Sequence, residues 1–184
     1  MSLSAEQLRS RLRLICRCNP APLTAKIGNR KLTMTDNIAG RCLCGKVAYT
    51  ISTRPAVTGH CYCVDCRKSS GTGHCTHALV PDDAVRIEGK LKFYDHPADS
   101  GNIVSRGFCA DCGCPILSKN SGMPGMTALR TSSLDDPDLV SPQMAVYTSK
   151  APAWDRPDPS LTIFPLGPDG GEAAFVNQQF GKSG

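Results

Sequence analysis

Two cysteine pairs set the tightest limit on how this chain folds. Cys42-Leu43-Cys44 is followed by Gly45, and far downstream Cys109-Ala110-Asp111-Cys112 is followed by Gly113. Each glycine allows a sharp backbone turn that aims main-chain amides at the sulfurs. Two such pairs, separated by a long stretch, close a four-thiolate structural zinc site and so clamp distant strands together. Reduced cysteines packed in a core are the plainer reading. Repetition of pair plus glycine favours ligands.

A third group lies between the pairs, in His60-Cys61-Tyr62-Cys63-Val64-Asp65-Cys66-Arg67-Lys68-Ser69-Ser70-Gly71. Its three cysteines, Cys61, Cys63 and Cys66, can converge on one zinc ion. Three protein ligands leave a coordination position for water or substrate, which separates catalytic from structural zinc. His60, His74, Cys75, His77 or Cys114 could complete the set instead, making a second structural site. Zinc with three thiolates carries a charge of −1. Arg67 and Lys68 directly follow the last ligand and are the expected counter-charges, or contacts for substrate carboxylates.

Eleven cysteines is a high and odd count for 184 residues. A secreted disulfide scaffold would need a signal peptide, and Arg9, Arg11, Arg13 and Arg17 interrupt every apolar run near the N-terminus. The expectation is therefore metal sites in a reducing compartment, the cytoplasm, with no membrane span. The net charge of +5 is unevenly spread. Residues 1–33 hold seven bases and one acid, a net of +6, while the other 151 hold 14 bases and 15 acids, a net of −1. The body thus lacks the basic footprint of a nucleic-acid binder.

Three segments are expected: a basic leader at 1–33, a zinc-binding β domain at 34–165 and a Gly-rich tail at 166–184. Within the leader, Ser4-Ala5-Glu6-Gln7 fits a capping box before a short helix, and Cys16 and Cys18 repeat the CxC spacing. Alternation predicts strands at Lys46–Ile51 and Thr76–Val80, and a hairpin pairing Ala84–Ile87 with Leu91–Tyr94. Further strands are expected at Ile103–Phe108, Pro115–Lys119, Met126–Arg130, Gln143–Thr148 and Leu161–Phe164. Helical periodicity is confined to a short piece near Val64–Ser70. The fold class is mainly β, with antiparallel sheets and few or no long helices.

From Asn37 to Trp154 the chain resembles the glutathione-dependent formaldehyde-activating enzyme family, also called the centromere protein V/GFA domain family. The likeness is carried by Gly40-Arg41-Cys42-Leu43-Cys44-Gly45, the triad segment through Gly71, Arg106-Gly107-Phe108-Cys109-Ala110-Asp111-Cys112-Gly113, Leu134-Asp135-Asp136-Pro137 and Lys150…Trp154. It implies an Mss4-like β fold with two zinc ions per chain. Cys42, Cys44, Cys109 and Cys112 would hold the structural one, and Cys61, Cys63 and Cys66 the catalytic one. The implied activity is a carbon–sulfur lyase reaction read in reverse, forming S-hydroxymethylglutathione from formaldehyde and a glutathione-like thiol. Tyr62, Arg67 and Lys68 are the nearest candidates for substrate contact. A non-catalytic zinc module that binds a protein partner is the alternative, and a basic arm for polyanions at 1–33 a third reading.

Overall fold

A computed structural model describes residues 38–168. The leader helix, Cys16, Cys18 and the tail beyond residue 168 lie outside the described residues. Among the described residues, eleven strands form two sheets. The smaller has the order β1 (Ile38–Arg41), β2 (Ala48–Ile51), β5 (Val85–Glu88). The larger runs β11 (Thr162–Ile163), β10 (Met144–Val146), β3 (Val57–Cys61), β4 (Cys75–Pro81), β9 (Met126–Arg130), β8 (Pro115–Asn120), β7 (Ile103–Cys109), β6 (Leu91–Pro97). One α-helix among the described residues, α1 (Val64–Ser70), follows β3. The mainly β expectation holds.

Two pairings differ from the expected pattern. β5 and β6 do not form a hairpin: β5 pairs with β2 in the small sheet, while β6 pairs with β7 in the large one. Glu88-Gly89-Lys90 therefore carries the chain from one sheet to the other. β10 runs parallel to both β3 and β11, whereas the remaining ladders are antiparallel. The strands β1 and β3 were not foreseen. β1 is short, and β3 carries Gly59 and a polar Thr58 where apolar alternation would be sought.

Side chains on a strand alternate between faces, and the large sheet uses both. Val80 and Leu129 join Ile38, Val47, Tyr49, Ile51 and Ile116 in one apolar cluster that unites the two sheets. Their neighbours Leu79 and Ala128 point the other way, toward Val57, Met144 and Val146. Cys42 and Cys109 belong to the first cluster and Cys61 to the second. Each cysteine group thus sits at a different core. That division separates the two centres.

Two cysteine centres and the candidate active site

Folding brings Cys42, Cys44, Cys109 and Cys112 together, with every sulfur within 4.8 Å of the others. Cys42 and Cys44 Sγ are 3.5 Å apart, and Cys44 and Cys109 Sγ 3.8 Å. A tetrahedral zinc with ~2.3 Å bonds places its sulfurs roughly 3.8 Å apart, so this set fits the ion. Gly45 and Gly113 both have positive φ, at 78° and 72°, as the turns after the pairs require. The Val47 N–H donates to Cys42 Sγ at 3.2 Å. Nearby, Lys46 Nζ pairs with Asp111 Oδ1 at 3.0 Å, a bond across the two ligand segments.

Cys61, Cys63 and Cys66 form the second group, again within 4.8 Å of one another. Cys61 is delivered by the end of β3, Cys66 by the first turns of α1, and Cys63 is the helix N-cap. Its Sγ accepts from the Cys66 N–H at 3.3 Å, so one side chain both starts the helix and faces the other two sulfurs. The helix stops at Gly71, whose left-handed conformation (φ 72°) directs its N–H to Arg67 O. Hydrogen bonding from Cys61 and Cys66 draws the Cys63 thiol down to about 2. Cys61 moves the opposite way, pushed up by those same sulfur contacts and by burial. Both sets are free of disulfides, and both have the donor chemistry of a zinc site.

The five residues that could have completed the triad all have other partners. His60 Nδ1 lies 2.8 Å from Thr76 Oγ1, and His74 Nδ1 lies 2.7 Å from Asp155 Oδ2. Cys61 and Cys75 are register partners, so their side chains share a face, whereas His60 points to the other. Cys75 Sγ is held by Arg130 Nη1. Cys114 packs at the first cluster and contacts Pro115 O. His77 comes nearest, with Nε2 3.5 Å from Cys66 Sγ, but the same nitrogen lies 3.3 Å from Arg130 Nη1. Burial, and then the Arg130 charge, pull the His77 pKa down to about 3, so it is a neutral ring accepting from the guanidinium.

Of the residues expected to meet substrate, Tyr62 is buried, its ring 5.0 Å from that of His74. Lys68 is exposed, and Arg67 half-buried, in the last turn of α1. Sequence reasoning missed a further cation beside the triad. Arg130 is 1% exposed and donates to Ser69 Oγ and Ser118 Oγ through Nη2. Arg106 is close by, pairing with Asp65 Oδ2 at 3.2 Å. One signal was present: Arg130 is in strand period with Met126 and Ala128, a charge on an otherwise apolar face.

The family model described as "Glutathione-dependent formaldehyde-activating enzyme" matches residues 37–150. A Halomonas elongata protein is 27% identical over 124 residues, covering 64% of this chain and 78% of its own length. A Phaeosphaeria nodorum protein is 26% identical over 111 residues, 59% of this chain. Both are named provisionally as glutathione-dependent formaldehyde-activating enzymes. The chain spans 58% of the length of the Phaeosphaeria relative. A solved Rhodobacter sphaeroides protein aligns with a TM-score of 0.45 at 21% identity, over 56% of this chain and 96% of its own. With both cysteine groups inside the matched segment, the chain belongs to the glutathione-dependent formaldehyde-activating enzyme family.

Proposed function

We propose that this chain is a zinc-dependent carbon–sulfur lyase-type enzyme acting on a thiol–aldehyde adduct, S-hydroxymethylglutathione formed from formaldehyde and glutathione. The reading is carried by one observation: the sulfurs of Cys61, Cys63 and Cys66 converge, and among the described residues no fourth His, Cys, Asp or Glu joins their grouping, His77 coming nearest through Cys66. Zinc held by these sulfurs would act as a Lewis acid that favours the deprotonated form of an incoming thiol. The reaction joins the thiol sulfur to the formaldehyde carbon. The carbonyl π pair moves to oxygen, and the thiol proton ends on the new hydroxyl, so nothing is oxidised or reduced. Cleavage of the same C–S bond is the lyase direction.

The protein's own groups set the stage. Cys63, fixed by the helix N-cap geometry, orients the triad. His77 accepts from Arg130 through Nε2 and links it to Cys66. The buried Arg130 adds a positive charge near the sulfurs, alongside those expected from Arg67 and Lys68. Cys42, Cys44, Cys109 and Cys112 would hold a second zinc as a clamp between strands.

Cys63→Ser tests the reading. Expected are loss of glutathione-dependent formaldehyde consumption, a fall of about one in bound zinc per chain, and an unchanged circular dichroism spectrum. Full activity in a Cys63→Ser protein that binds one zinc overturns it. A wild-type protein with two zinc ions and no thiol–aldehyde turnover supports the non-catalytic module instead.

A further inference from the structure

The triad shares its sheet face with a row of polar side chains. Register places Tyr94 opposite Arg106, Arg106 opposite Ser118, and Arg130 opposite His77, all on the face that carries Cys61 and Cys75. The helix α1 lies over this face, since Ser69 meets Arg130, Asp65 meets Arg106 and Cys66 meets His77. Beside it is a cavity of about 190 Å³ lined by Ser69, Tyr94, Arg106, Phe108, Leu117 and Arg130. That is roughly six water volumes. It is enough for one short arm of a substrate and too small for a whole tripeptide.

Among the described residues, the two guanidiniums of this corner pair directly with one carboxylate, Asp65. Arg130 is almost wholly buried, and among the described residues no carboxylate pairs with it. Its guanidinium partners are two serine hydroxyls, a neutral imidazole and a thiol, and Nε has no partner at all. The triad's negative charge acts on this cation from a distance, but the buried Nε–H still lacks an acceptor, and leaving it so costs free energy. Arg106, only 13% exposed at its side chain, spends one nitrogen on Asp65 and keeps further N–H groups. Two guanidiniums line one side of the cavity, and Phe108 and Leu117 offer apolar wall for methylenes. This is the makeup of a carboxylate subsite.

We propose that the cavity beside α1 binds a carboxylate of the thiol substrate through Arg106 and Arg130, and that this contact selects anionic thiols over neutral ones. The proposal deepens the thiol–aldehyde reading and rests on it for the identity of the ligand. From the cavity, Arg130 leads through His77 to Cys66 in two contacts of 3.3 and 3.5 Å, so an anchored carboxylate lies within a short arm of the triad.

Calorimetric titration of the zinc-loaded protein with S-methylglutathione and with its dimethyl ester tests the site without turnover. Wild type should bind the acid about 10-fold or more tightly than the ester, as one charge-assisted hydrogen bond provides. Arg106→Gln should bring the two affinities to within about 3-fold, and Arg106→Lys should restore part of the difference. Equal affinities for acid and ester in wild type overturn the subsite, whether or not either variant folds. So does an unchanged ratio in a folded Arg106→Gln protein. Selective binding of the acid with no formaldehyde turnover supports the subsite and removes the reaction. Turnover with no such selectivity keeps the reaction and removes the subsite.

Discussion

Replacing Gly40 by alanine should be among the most damaging one-methyl changes in this protein. A Cβ at position 40 would stand 2.4 Å from Tyr49 Cζ and Oη and 2.6 Å from the Ser133 backbone oxygen. The carbonyl cannot swing aside, because Ser133 lies in a buried 3-10 turn next to the Gly40–Leu134 bridge. Tyr49 can move only by leaving a site where it is 2% exposed and 2.8 Å from Ser133 Oγ. Overpacking a tight core costs about 1–3 kcal/mol. A buried hydroxyl left without its partner adds about 1–3 kcal/mol. Alanine restricts the unfolded chain and returns about 0.4–1 kcal/mol. The net loss is about 3 kcal/mol, a fall in Tm of order 10 °C for a domain of this size. Cys42 lies two residues on, so part of the strain should appear as weaker zinc retention. Urea unfolding of the zinc-loaded protein measures the shift, with Gly125→Ala as control. Gly125 has φ 81° but open space around its Cα, so alanine there should cost only the left-handed penalty of about 1 kcal/mol. A Gly40→Ala protein within about 0.5 kcal/mol of wild type, or more stable than Gly125→Ala, refutes the packing argument.

Cys109→Ser should lower bound zinc by about one per chain and destabilise the fold far more than Cys63→Ser does, since Cys109 is fully buried and ties β7 to the turn between β1 and β2 at Cys42–Cys44. Metal analysis and a melting curve decide it; equal melting temperatures for the two variants contradict the clamp. Asp82→Asn tests a pH effect. Burial pushes the Asp82 carboxyl up, but hydrogen bonds from Lys119 and Thr127 outweigh it and hold the group below its ordinary 3.8. A lowered folded-state pKa means stabilisation that is complete above 3.8 and lost as pH falls through the folded value. Wild type should therefore melt higher than Asp82→Asn at pH 7, and the gap should close in acid below the shifted pKa. A gap of constant size across that range rules out the ionised carboxylate as its source.

The cysteine groups were legible because ligand chemistry is written locally. CxC, CxxC and a following glycine are short patterns, and the α1 segment, from Val64 to Ser70, was marked by Gly71. Strands β4, β7, β8 and β9 followed from alternation. Pairing was another matter. Ala84–Ile87 and Leu91–Tyr94 look like a hairpin, yet β5 is claimed by β2 and β6 by β7, each pairing into a different sheet. No local pattern encodes that choice. The parallel placement of β10 beside β3 likewise depends on chain segments 85 residues apart, as Thr58 and Gln143 show. Arg130 was passed over for the reverse reason: arginine is a surface residue by habit, and only the assembled face reveals that Ser69, His77 and Ser118 surround it.

The two cysteine groups differ in how far apart along the chain their members lie. Cys44 and Cys109 are 65 positions apart, so an unfolded chain must close a large loop before it can offer four sulfurs to one ion. Cys61, Cys63 and Cys66 stay neighbours even in a denatured chain, which can therefore go on chelating through them. A ligand that binds the unfolded form as well adds little to the folding equilibrium. Zinc at the distant pairs should accordingly act as a rivet whose removal loosens the whole domain, while zinc at the triad can come and go, leaving the architecture nearly untouched.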